Sequence, residues 1–215
     1  MKLGHCALPL LLALGLLAGC DVFRPESAQP PIVAECNSDV AEDYSDPEGV
    51  LQTLADAIAA KDCGNALRAY VGAFADSAVD GVPYYATFAD ELVRLRSEAG
   101  LPVPVWNLSL ERDFYGDFIS QYQDEYLMEW TPTEQGDDFP TPGEAILRRK
   151  YEIWAVENGE TQSSIAVGYA NITLRAVTDT RWAIVQWADL IDPTIGVDPA
   201  DPGKRSLGEW RLETR

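Results

Sequence analysis

The stretch Arg181–Leu190, RWAIVQWADL, decides how this chain is read. Aromatic and β-branched residues dominate it, which marks a strand. Strict alternation puts Trp182 and Ile184 on one face and Trp187 and Asp189 on the other. A β-bulge at Val185–Gln186 would instead turn both tryptophans to the same side of the sheet. The commoner role of such tryptophans is core packing, because large aromatics fill a curved sheet.

Working outward from this strand, the same texture recurs. Strands are expected at about 104–113, 118–131, 144–157, 162–178, 181–190 and 207–213. Asn158-Gly159 is a hairpin signal between the third and fourth, and Thr178-Asp179-Thr180 turns the chain into the fifth. Residues 191–206 carry Pro193, Pro199, Pro202, Gly196 and Gly203 and read as a loop.

Before residue 104 the period is helical. Ser45-Asp46-Pro47-Glu48 reads as a capping box, followed by the stripe Leu51, Leu54, Ala55 and Ile58. Leu67, Tyr70, Val71 and Phe74 make a second stripe. A third helix is expected to open at Pro83, with Tyr85, Phe88, Leu92, Leu95 and Ala99 on its face, and to stop at Gly100. Asp90 and Arg94 would pair along it at i,i+4. Helices followed by a strand meander predict an α+β fold, with three N-terminal helices on one face of a curved antiparallel sheet of five or six strands.

The order of these pieces carries a family resemblance. DPEGVLQTLADAIAAKD (46–62) and ALRAYVGAFAD (66–76) precede a meander ending in RWAIVQWADL, with GEWRL (208–212) near the end. From about Ser45 to Glu213 this resembles the NTF2-like (SnoaL-like, cystatin-like) cone, in particular its lipid-anchored bacterial members. The resemblance implies a pocket between helices and sheet. Some members of that family are isomerases, cyclases or dehydratases that use Asp, Tyr or His, and many are binding modules without chemistry. No carboxylate of this chain aligns with a family catalytic position, so no catalytic residue is assigned.

The chain begins with a different logic. Met1 and Lys2 are followed by an apolar run to Leu17 that is too short to span a bilayer, where about 20 residues are needed. A cationic start, an apolar middle and a small-residue exit make a secretory signal. Leu17-Ala18-Gly19-Cys20 resembles the bacterial lipobox, which implies cleavage before Cys20 and acylation of its thiol. The expected organisation is a signal peptide over 1–19, a lipidated Cys20 with a flexible tether over 20–44, and one domain over 45–215. The membrane is thus the first expected partner, with a periplasmic location. Asp21 resembles an inner-membrane retention signal.

Composition narrows the chemistry. The chain has 215 residues and a net charge of −19, from 16 Lys and Arg against 35 Asp and Glu. Loss of Lys2 takes this to −20. So acidic a surface repels phosphate backbones, which argues against nucleic acid. The only histidine, His5, leaves with the signal peptide, which removes His-based triads, bases and metal ligands from the mature chain. Cys36 and Cys63 remain as a pair in an oxidising compartment. A disulfide between them would stabilise the fold by about 3 kcal/mol on the loop-closure estimate. A redox or metal role would need a CxxC spacing or further ligands.

The pocket candidates are Tyr70, Trp106, Tyr115, Tyr126, Trp130, Tyr151, Trp154, Trp182 and Trp187, with Asp189 and Arg149. Asp113 beside Tyr115, and Glu129 beside Trp130, are acids next to aromatics. Such an acid in an apolar pocket is a general-base candidate, although an outward acid on an alternating strand is commoner. Arg149 shares a face with Leu147 and Tyr151. If inward, it needs a buried anion: a ligand carboxylate, or a cross-strand acid such as Glu157 or Asp189. Asp192, Asp198 and Asp201 lack the spacing of a calcium loop. No cofactor is implied. The expected role is a binding or interaction module with an aromatic-lined pocket for a small hydrophobic ligand or a protein. The alternatives are a proton-transfer enzyme using Asp or Glu with Tyr, or a structural subunit that dimerises through its sheet.

Overall fold

The computed structural model describes residues 39–61, 64–121, 125–157, 160–191 and 205–214. The first helix, α1 (Pro47–Ala59), is capped by Asp46, whose carboxylate accepts the amides of Glu48 and Gly49. The cap is therefore Asp46 and not Ser45, whose hydroxyl donates to Asp43. Helix α2 (Ala66–Gly72) follows and buries Ala66, Ala69 and Tyr70. The packed domain starts ahead of Ser45: Val40 is buried, and its amide and carbonyl both bond the Asn65 side chain.

The expected third helix divides. Tyr85–Thr87 is a short strand, β1, with Ala86 inward, and only Asp90–Glu98 is helical (α3). Helix α3 ends before Gly100, which takes a left-handed φ of +72°. Arg94 pairs with Glu91 and Glu98, and not with Asp90.

A second correction concerns 104–120. The expected strand at 104–113 is only a single bridge at Trp106. Asn107 then caps α4 (Leu108–Ser120) by accepting the amides of Ser109 and Leu110. Glu111, Phe114, Tyr115 and Phe118 repeat at i, i+3, i+4 and i+7 and face inward. The aromatic content of this segment had the look of a strand, but its period is helical.

The sheet contains β2 (Glu125–Pro132), β3 (Asp138–Thr141), β4 (Glu144–Glu157), β5 (Glu160–Thr178) and β6 (Arg181–Leu190), with β1 at one end. Its order is β1-β6-β5-β4-β2, with β3 beside β4. All pairs are antiparallel except β1 with β6, so the curved sheet is mixed and not purely antiparallel. Asn158 and Gly159 lie outside the described residues, but Glu157 pairs with Glu160 across them. Most of the 191–206 loop also lies outside. The last expected strand is a helix, α5 (Leu207–Glu213), opened by a capping box between Ser206 and Glu209.

Of the two arrangements open to this strand, the bulge at Val185–Gln186 is the one present. Thr173 pairs with Gln186 and Leu174 with Ile184, so Val185 is the extra residue. Ile184, Trp187 and Asp189 are all buried, and Trp182 packs against the same core. That core lies between the sheet and helices α1, α2, α4 and α5.

Candidate functional site

Two carboxylates sit inside this core. Glu111 is wholly buried because its place on α4 lies in the middle of the apolar stripe. It accepts the Tyr70 hydroxyl at 2.7 Å, the Tyr84 hydroxyl at 3.0 Å and the Trp106 indole N–H at 2.5 Å. Arg211, from α5, closes the set with a bidentate pair: Nη2 to Oε1 at 2.7 Å and Nε to Oε2 at 3.1 Å. The guanidinium stacks 4.6 Å above the Trp187 ring. Burial, reinforced by the Glu111 charge, holds both phenols well above their ordinary pKa, so they remain neutral donors. For Arg211, burial opposes the charge, but the Glu111 carboxylate outweighs it and the guanidinium stays cationic.

Asp189 is the second carboxylate. The Tyr151 hydroxyl donates to its Oδ1 at 2.6 Å, and the Gly208 amide to its Oδ2 at 3.0 Å. The Leu207 amide donates in turn to Tyr151 Oη at 2.8 Å. The first turn of α5 is thereby docked onto the end of β6. A Cβ at position 208 would collide with the Asp189 carboxylate, so the glycine is required for this approach. Burial raises the Asp189 pKa, against the opposing pull of Tyr151 and Arg211. Burial and the Asp189 charge also push the Tyr151 phenol well up.

Acids, phenols and a guanidinium are the parts of a proton-transfer site, but here both carboxylates and all three phenols spend their hydrogen bonds within the core. None of the four main surface clefts is lined by Glu111, Tyr151, Trp187 or Asp189. Two interior donors, Arg211 Nη1 and Trp187 Nε1, have no acceptor among the described residues.

Most of the sequence candidates converge. Tyr70, Trp106, Tyr115, Tyr126, Trp130, Tyr151, Trp182 and Trp187 belong to one cluster. Several spend their polar atoms on backbone: Tyr115 on the Ala57 carbonyl and Trp130 on that of Leu51. They fill the interior as core. Trp154 lies outside the cluster, since Ile153 and Ala155 on either side take the inward positions. Arg149 is buried, and its anions are Asp137, at 2.5 and 2.9 Å, and Glu48, not Glu157 or Asp189. Asp113 and Glu129 are exposed, which removes them as buried bases. Cys20, Cys36, Cys63, Asp192, Asp198 and Asp201 lie outside the described residues.

Glu111, Arg211 and Tyr84 were missed. A helical reading of 108–120 would have placed Glu111 in the apolar stripe. The Ser206-x-x-Glu209 capping box would have turned GEWRL from a strand into a helix that directs Arg211 inward.

No family model matches the chain, and no curated protein resembles it in sequence. Solved structures with a similar outline include a function-unknown protein from Mycobacterium tuberculosis, at 12% identity and a TM-score of 0.49, over 77% of this chain and 84% of that one. An NTF2-like protein with a cystatin-like fold from Novosphingobium aromaticivorans matches at 11% and 0.44, over 67% and 79%. ActVI-ORFA from Streptomyces coelicolor matches at 8% and 0.47, over 66% and 92%. Likenesses this distant carry no argument about chemistry.

Proposed function

We propose that this is a non-catalytic interaction module, held by acyl chains on Cys20 at the extracytoplasmic side of a bacterial membrane. The single observation that supports the absence of catalysis is the occupied interior. Arg211 fills the centre of the cone against Glu111, and Trp106, Tyr151 and Trp187 close around it, each at most 1% exposed. Binding would then fall to the surface. Dimerisation through the outer sheet face has less support, because Glu129, Lys150, Glu152, Asn171 and Gln186 are interleaved there with Leu127, Trp154, Tyr169 and Leu190, so the face is mixed and not one wide apolar patch.

A second reading, proton transfer on a small hydrophobic substrate, is favoured by one observation. The Asp189–Tyr151 pair lies in the same interior as the acceptor-free Arg211 Nη1 and Trp187 Nε1. The two readings part in a spectroscopic titration. Naphthol, indole and cyclohexenone are added to the mature protein while the Trp187 indole and Tyr151 resonances are followed. The module reading expects no saturable shift. Saturable shifts that vanish in Asp189→Asn would establish a ligand site and overturn it. The anchor is tested separately: mass spectrometry expects an acylated N-terminus at Cys20, and Cys20→Ser should release the protein from membranes. A native chain that retains Met1 would contradict it.

A further inference from the structure

The two ends of the sheet are finished differently. On the β6 side the edge is covered from Trp182 to Ala188. The Trp182 amide bonds the Tyr44 carbonyl, Ile184 pairs with Ala73 and Ala75, and Gln186–Ala188 pair with β1. On the other side β2 pairs with β4 along one edge only. Among the described residues no backbone group bonds its outer edge. An open eight-residue edge is a template for another strand.

A groove of about 660 Å³ runs between this edge and the first half of α1. Leu51, Met128 and Trp130 give it an apolar floor, while Asp43, Asp46 and Glu129 supply acids along it. Hydrogen bonds from Ser45 hold Asp43 below the usual carboxylate range, so it stays ionised. Glu129 also stands directly opposite Glu152 on β4. Like charges facing across a strand pair are destabilising. Of the nearby cations, Lys150 is 3.9 Å from Glu152, Arg149 is paired with Glu48, and Lys61 lies 4.7 Å over the Tyr126 ring at the start of β2. An acidic edge disfavours pairing with a second copy of itself and favours a cationic strand.

We propose that the outer edge of β2 accepts an extended segment of a partner protein that alternates Lys or Arg with apolar residues, added as a further strand. Main-chain hydrogen bonds would supply the affinity. Cations facing Glu129 and apolar side chains over Trp130 would supply the selectivity. This rests on the interaction-module reading and names the partner chemistry for it.

The test uses the mature chain in detergent with the synthetic peptide acetyl-Lys-Val-Lys-Val-Lys-Val-Lys-amide. A control peptide of equal charge is N-methylated at every residue, so neither of its edges has a backbone donor to pair with β2. Exchange of the Tyr126–Thr131 amides that point away from β4 is expected to slow by at least about tenfold with the first peptide and not with the second. Glu129→Lys should weaken binding by about tenfold or more, and Glu129→Gln by less. Equal binding of the methylated peptide would mean charge attraction alone. Protection of those outward amides before any peptide is added would mean that the chain itself or a second copy covers the edge. Either result, or no protection at all, overturns strand addition and leaves the module reading standing. That reading instead fails if the small-molecule titration shows an interior site.

Discussion

Arg211 and Glu111 stand one hundred positions apart in the chain and meet by two hydrogen bonds with neither side chain exposed. Removing two charges from water costs several kcal/mol per ion, and attraction alone need not offset it. Here Tyr70, Tyr84 and Trp106 add three further donors to the same carboxylate. The pair fastens the last helix to α4 and leaves the cone interior with no net charge from these two residues.

Breaking that pair from one side should be costly. Arg211→Met leaves the Glu111 carboxylate buried without its counter-ion, and urea unfolding should record a loss of about 3–5 kcal/mol. Glu111→Gln combined with Arg211→Met removes both charges and should recover more than half of this. Equal loss in the single and double variants would show that packing, not charge, holds α5.

Gly208 has no room for a methyl group because Asp189 lies against it. Gly208→Ala should cost about 1–3 kcal/mol as an overpacked contact, less the gain of up to about 1 kcal/mol from helix propensity. The cost should shrink when Asp189→Ala is present, since the two positions touch. Denaturant midpoints of the four-member cycle measure this.

The hydrogen bonds from Arg149 hold the Asp137 carboxyl below its usual range. A carboxyl whose folded pKa is depressed adds stability that is present above its unfolded value, near pH 4, and is lost as pH falls through the folded value. Asp137→Asn should therefore flatten the stability profile below about pH 4 and lower the plateau above it. Superimposable acid limbs for the two proteins would contradict the pairing.

Asp189 runs the opposite way, because burial raises its pKa. The folded state holds the proton more tightly, so stability contributed by this group declines as pH rises from about 4 through the raised value. The stability of the parent relative to Asp189→Asn should fall across that window, as followed by thermal melts at stepped pH.

The meander from Glu144 to Leu190 was legible because hairpin signals and β-branched runs agree there. The pattern of Trp182 and Trp187 left strict alternation and a bulge at Val185–Gln186 both open, and the register decides for the bulge. Errors arose where residue type and period conflict. Trp106, Phe114 and Tyr115 have the composition of a strand, but Asn107 caps a helix and the inward residues follow its period. Tyr85 continues a helical stripe on paper, but the open flank of β6 captures Tyr85–Thr87 as a strand. The buried network was unreadable for the same reason: Glu111 and Arg211 become partners only once both of their segments are helices. Arg149 shares a face with Leu147 and Tyr151, which left its direction open, and its anions come from Asp137 beyond β2 and from Glu48 on α1, segments that local spacing does not bring together.

The central claim, that the cone interior is closed core and not a ligand site, is tested most directly by native-state hydrogen exchange. The groups to follow are the Trp106 and Trp210 indole N–H, bonded to Glu111 and to the Ile165 carbonyl, and the α5 amides of Leu207 and Gly208. The account predicts that all exchange only through global unfolding, with the same free energy and denaturant dependence as the strands of the sheet. Exchange of these groups through a low-energy opening that leaves β4, β5 and β6 protected would contradict it, because α5 would then be a door to the Asp189–Tyr151 pair.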